Sequence, residues 1–155
     1  MRLLFPSGEP RLPILLGLAG LIPFVVTALG GWWAPVAWQV PALAAFLAYG
    51  AVILSFLGGI HWGLAMGRDA PSSPAFRRRL VASMAPSLIA WPGLLWGGLP
   101  GALVMMLGFL AVRGLEASPA SVAGLPSWYR RLRNVLTAVV VVCHLLVIAR
   151  LWPVS

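Results

Sequence analysis

Five apolar stretches free of Asp, Glu, Lys and Arg, at roughly residues 12–29, 41–67, 80–97, 101–112 and 135–149, dictate what this chain can fold into. Hydrocarbon offers backbone N–H and C=O groups no water, so such stretches cross a bilayer as helices, whose hydrogen bonds are internal. About 20 residues at 1.5 Å each cover a core of about 30 Å. The predicted fold is all-α: a polytopic membrane helical bundle of five transmembrane helices, the third and fourth forming a tight hairpin. A mean hydropathy of +0.95 lies outside the soluble range. The 155 residues leave room for a single integral membrane domain and no separate soluble module.

Charge orients the bundle. All eleven basic residues are arginines, against three acidic ones. Arg2 and Arg11 precede the first stretch, Arg68 and Arg77–Arg79 follow the second, and Arg113, Arg130, Arg131 and Arg133 lie between the fourth and fifth. The opposite side carries only Arg150. Ten against one predicts a cytoplasmic N-terminus and an external C-terminus in a bacterial inner membrane; a mitochondrial inner membrane reads the same way, with the matrix as the inside. The net charge of +8 sits beside apolar spans, so the expected partners are anionic lipid headgroups at Arg77, Arg78, Arg79, Arg130, Arg131 and Arg133, and not nucleic acid.

The stretches differ in strength. The first resembles a signal peptide at its start, but about 18 residues bracketed by Pro13 and Pro23 favour a retained helix. The second, 27 residues from Pro41 to Gly67, exceeds the bilayer and should tilt. Pro86 and Pro92 break up the third, and the fourth has 12 residues. Gly97-Gly98-Leu99-Pro100-Gly101 between them reads as a turn that cannot continue a helix. A pair of spanning helices and a re-entrant hairpin both fit, and the spanning pair is favoured because exposed backbone at membrane depth is costly. Trp32, Trp33, Trp38, Trp91, Trp96, Trp128, Tyr129 and Trp152 cluster at the span ends, as interfacial anchors do.

In the second stretch, Ala51, Ser55, Gly59, Gly63 and Gly67 recur every four residues. Such a small-residue stripe lets another helix approach closely. Packing within the chain against span one or three is the simpler reading; a homo-oligomer or a larger membrane complex is the other.

His61 has the best claim to function, with Trp62 and Ser55 beside it as candidates. It lies seven residues before Arg68, about 10 Å inside the boundary, and shares a helix face with Gly58 and Ala65. Ionisable groups at that depth are functional candidates. The plainer alternative is a neutral imidazole bonded to a carbonyl, or to Ser83 or Ser87. His144 lies about 9 Å from the opposite face, too far to share a metal with His61, and Cys143 beside it makes a poor site. Glu9, Asp69 and Glu116 all lie in connections, so no intramembrane carboxylate is available for coupled transport. No metal-ligand cluster, nucleophile–base spacing or phosphate loop is present, so neither catalysis nor a cofactor is expected.

Three segments carry a family likeness: LGLAGLIPF at 16–24, YGA at 49–51 with LSFLGGIHWG at 54–63, and PSWYRRLR at 126–133, with a weaker one in APSLIAW at 85–91. With these the chain resembles the domain-of-unknown-function family 3429, small bacterial membrane proteins related to the eukaryotic transmembrane protein 69 group. The resemblance covers essentially the whole chain. It implies the membrane architecture and a cationic residue, His or Arg, at position 61, and it carries no activity. Two expectations follow: a non-enzymatic accessory or lipid-interacting bundle, or a small-molecule transporter or sensor with a cavity near His61.

Overall fold

The computed structural model describes residues 10–117 and 126–152. Those residues form six helices and no strand: α1 (Arg11–Ala19), α2 (Ile22–Trp33), α3 (Val36–Arg68), α4 (Pro74–Trp96), α5 (Gly98–Glu116) and α6 (Ser127–Leu151). Arg2 and Glu9, weighed above, lie outside the described residues.

The first apolar stretch is a single rod with a break. Pro23 has no N–H, and its ring would collide with the Ala19 carbonyl one turn back, so α1 stops and α2 starts afresh. The break exposes the Gly20 carbonyl, which accepts a hydrogen bond from the Tyr49 hydroxyl at 2.9 Å. Only Ala34 and Pro35 separate α2 from α3, so the predicted external connection at 30–40 is largely helical. The predicted start at Pro41 is corrected to Val36, with Pro41 inside the helix. The resulting α3, 33 residues and about 50 Å long, outruns the hydrocarbon core.

Ser73 opens α4: its hydroxyl accepts from the Phe76 N–H at 3.1 Å, and Pro74 takes the first helical position, where a missing N–H costs nothing. The helix runs through Pro86 and Pro92 without interruption, correcting the predicted break. Neighbouring helices make such prolines tolerable at membrane depth. The turn into α5 is Gly97 alone, with φ 58° and ψ −166°, followed by Gly98 at φ 47°, a backbone that residues with a Cβ rarely adopt. Leu99, Pro100 and Gly101 already belong to α5, which extends through Glu116 and so exceeds the predicted 12 residues.

Four rods are long and apolar enough to cross a membrane: Arg11–Trp33, Val36–Arg68, Gly98–Glu116 and Ser127–Leu151. The fifth, α4, has a comparable length of about 34 Å but carries Arg77–Arg79 in its first turns. Their outer faces present Leu, Val, Phe and Trp to the surroundings, as lipid-facing helices do. The protein is a multi-span membrane helical bundle. In its centre Phe24 meets Phe46, Tyr49 and Phe109 edge to face, with Leu54, Met105 and Val147 packed around them.

The tightest approaches are made by glycines. A Cβ on Gly58 of α3 would strike the Ser83 carbonyl oxygen of α4, and one on Gly101 of α5 would strike the Gly93 carbonyl oxygen of α4. The two neighbours therefore grip α4 backbone to backbone.

Of the predicted stripe, Ala51 alone packs within the bundle. Ser55 is exposed, and nothing lies within 4 Å of a Cβ built on Gly59, Gly63 or Gly67. The reading of that stripe as intramolecular packing is corrected. Four residues make 400° of helix, so a strict four-residue repeat drifts by about 40° per step and about 160° from Ala51 to Gly67. It starts inside and ends outside. Gly59→Ala and Gly63→Ala are accordingly expected to leave the unfolding midpoint in mixed micelles unchanged or raise stability by up to about 1 kcal/mol through helix propensity.

Candidate functional site

The periodicity of α5 delivers a carboxylate to the bundle interior. Met105, Phe109 and Val112 are buried at spacings of four and three, and Glu116 follows four residues later on the same face. Its two oxygens accept from Arg133 of α6, from Nε at 2.8 Å and from Nη at 2.9 Å, a bidentate pair. His61 of α3 completes the node, with Nε2 3.5 Å from Glu116 Oε1, a charge contact longer than a good hydrogen bond. The three side chains are 17%, 11% and 10% exposed for His61, Glu116 and Arg133. One carboxylate thus ties α3, α5 and α6 together and neutralises an arginine that could not otherwise be buried.

This arrangement changes several assignments. Glu116 is not a loop residue, and sequence reasoning missed it as the partner of His61. Ser83, proposed for that role, donates instead to the Leu80 carbonyl at 2.6 Å. Arg133 is buried and faces Glu116, so it is corrected from a headgroup contact to an interior ion pair. Arg79 is half-buried against Asp69 at 2.9 Å, whereas Arg77, Arg78, Arg130 and Arg131 are exposed. Trp62 and Ser55 point away from the bundle, so neither joins His61.

Beside the node lies a cavity of about 360 Å³ bounded by the first rod, α3, α5 and α6. Leu16, Gly17 and Gly20 form one wall, Phe56, Leu57 and Ile60 a second, and Leu132, Leu136 and Val140 a third. Trp128, Tyr129 and Arg133 supply polar groups at the arginine-rich end. Trp128 and Tyr129, predicted as interfacial anchors, thus also line this half-open space, whose rim includes the exposed Leu16 and Phe56. The volume falls within the range of ligand pockets, about 300–1,000 Å³, and the greasy walls with a polar end suit an amphipathic occupant.

In the centre of the bundle, His144 is fully buried, with Nδ1 2.8 Å from the Val140 carbonyl and its ring packed by Phe46, Phe109 and Phe24. Arg150 locks α6 to its neighbours by donating to the Gly31 carbonyl and to Gln39 Oε1, while Trp32 Nε1 donates to the Leu146 carbonyl. Among the described residues no three of His, Cys, Asp and Glu come together as a metal site would require.

Comparisons with known proteins agree with this architecture. A family model described as protein of unknown function (DUF3429) matches residues 9–149. The chain is 39% identical over 141 residues to transmembrane protein 69 of Xenopus tropicalis, covering 87% of this chain and 53% of that one. It is 32% identical over 149 residues to transmembrane protein 69 of Mus musculus, covering 94% and 59%. It therefore spans between half and three-fifths of those relatives. No solved structure matches significantly.

Proposed function

The chain belongs to the DUF3429 family of membrane proteins, and from that premise we propose that it is a non-enzymatic bundle that holds the hydrocarbon tail of a membrane lipid. One observation carries the reading: the apolar cavity of about 360 Å³ between the first rod, α3, α5 and α6, with Trp128, Tyr129 and Arg133, itself paired to Glu116, at its polar end. A tail would fill the greasy part while its headgroup stays at the arginine-rich end, where each well-placed cation contributes about 1 kcal/mol toward anionic lipid. Further support comes from the neighbourhood of His61. It faces a carboxylate instead of an open polar space, which weighs against the alternative of a carrier or sensor built around that histidine.

In this proposal all five rods cross the bilayer, α4 included, because one face of its 23 residues packs against α3 and α5 while Val81, Leu88, Trp91 and Leu95 give it an apolar outer face. The arginine-rich end faces the cytoplasm in a bacterial inner membrane, or the matrix in a mitochondrial one. The vertebrate origin of the two relatives makes the mitochondrial version as fitting as the bacterial one.

The test fills the cavity. Thr137 lines the α6 wall, and Thr137→Trp is expected to cut the phospholipid that stays with the purified chain at least about 10-fold, read by native mass spectrometry. Helix content and unfolding midpoint should be unchanged. Undiminished lipid retention by a folded Thr137→Trp protein would sink the proposal.

A further inference from the structure

The first rod is unevenly held. On one side of its break, α2 buries Phe24, Ala28 and Gly31 and packs on both α3 and α6. On the other, α1 buries Ile14 alone among its nine residues and rests chiefly on α6. Its Leu12, Leu15 and Leu16 are exposed. Yet α1 is a wall of the apolar cavity, and its Leu16 and the exposed Phe56 of α3 both belong to the open rim. We propose that α1 is a side gate, which swings outward about Gly20–Leu21 and admits a lipid's hydrocarbon tail to the cavity directly from the surrounding bilayer. This inference rests on the reading of the cavity as a tail site and adds the route by which the tail arrives.

The backbone supplies the pivot. Pro23 leaves the Ala19 carbonyl without the N–H that a continuous helix would offer it. The Leu21 N–H donates to the Leu18 carbonyl at 3.0 Å, a three-residue spacing tighter than that of an α-helix. Tightened turns inside a rod often mark hinges, and hinge positions are commonly small residues at element ends, as Gly20 is here. The Tyr49 hydroxyl donates to the Gly20 carbonyl, and the Tyr49 ring packs edge to face on Phe24. Both contacts fasten the pivot and the α2 side of the rod to α3. They leave α1 to move.

The seat of α1 on α6 is apolar and shallow. A Cβ on Gly17 would lie 3.3 Å from Leu132 and 3.4 Å from Leu136, so the helix backbone rests directly on two leucine side chains. In hydrocarbon such contacts are exchanged for contacts with lipid tails at little cost, because lipid supplies no hydrophobic drive between helices. The same swing in water would expose apolar surface and be opposed. Position selects the entrant. The gate begins at Arg11, and the cavity beside it has Tyr129 and Arg133 at its polar end, so the opening stands at the arginine-rich end of the bundle. A lipid of that leaflet slides its tail sideways past the exposed leucines of α1 while its headgroup stays at the membrane surface.

The experiment uses the full chain, with Cys143→Ala removing the native thiol, loaded with tail-deuterated phosphatidylcholine. The loaded protein is diluted into mild-detergent micelles of unlabelled phosphatidylcholine, and native mass spectrometry counts the lipid retained and follows its replacement. Gly17→Cys with Leu132→Cys places two thiols where the α1 backbone meets α6, and oxidation after loading ties the gate shut. Exchange is expected to slow at least about 10-fold with the bound lipid still present, and reduction should restore the parental rate. Pro23→Ala, which returns the N–H missing at the break, should also slow exchange about 10-fold while equilibrium retention stays within about 2-fold of the parent. A loaded, disulfide-tied chain that exchanges at the parental rate overturns the gate, as do failure of the two cysteines to pair and loss of lipid on oxidation. Parental exchange by Pro23→Ala overturns the pivot. Absence of lipid from the parent chain is a different failure: it sinks the tail reading and removes the gate with it. Thr137→Trp lowers retention itself, whereas the gate variants change the rate alone, so the two failures are separable.

Discussion

Glu116→Gln is expected to destabilise the bundle by about 3–5 kcal/mol, read from the midpoint of unfolding in mixed micelles of dodecyl sulfate and a mild detergent. The substitution keeps the shape and removes the charge. Arg133, a buried residue, then has no anion among the described partners of its guanidinium. An arginine at the centre of a membrane helix costs about 2.5–3.5 kcal/mol on insertion scales; Arg133, in the second turn of α6, incurs less of that directly, and the remainder of the expected loss comes from leaving its buried charge unpaired. The cause is separable from lost packing. Glu116→Leu combined with Arg133→Met removes both charges and should recover stability to within about 1 kcal/mol of the parent, because an apolar pair can replace a buried ion pair. If the single Gln variant unfolds where the parent does, the node carries no charge worth burying.

Gly58→Ala and Gly101→Ala should each lower stability by about 1–3 kcal/mol, at the upper end if α4 cannot yield. In both, the new methyl group meets a carbonyl oxygen of α4, and backbone cannot rotate aside as a flexible side chain can. The neighbouring Gly59→Ala is the internal control, since it adds the same atom to open space. Equal behaviour of Gly58→Ala and Gly59→Ala in the same micelle titration would show that α3 is rotated by about 100° from its described setting.

The pairs just discussed also show what the sequence could and could not reveal. Helical class, membrane character and four of the rods were legible because uncharged runs of this length admit few other structures. Helix ends were not. Pro41, Pro86, Pro92 and Pro100 look like boundaries, yet each sits inside a helix or its first turn, where tertiary packing overrides local preference. The signal for the true start of α4 was Ser73-Pro74, a cap followed by proline at the first position. Glu116 was misassigned because it lies beyond the uncharged run. Extending the face of Met105, Phe109 and Val112 by one more turn would have found it. The glycine stripe misled through geometry: a repeat of four looks straight in a line of letters and winds on a helix of 3.6 residues per turn.

The single-residue link at Gly97 bears on how the protein is made. A ribosome delivers α4 first, a segment weighted with three guanidinium groups and lacking the apolar character of its companions. With one residue between them, α5 emerges almost immediately afterwards and folds back along it, Gly101 nesting against Gly93. The two are therefore expected to leave the translocation machinery as one helical hairpin, which arrest of the nascent chain on either side of Gly97 would check. A nascent chain halted after Trp96 would hold half of a clasp with nothing to close on.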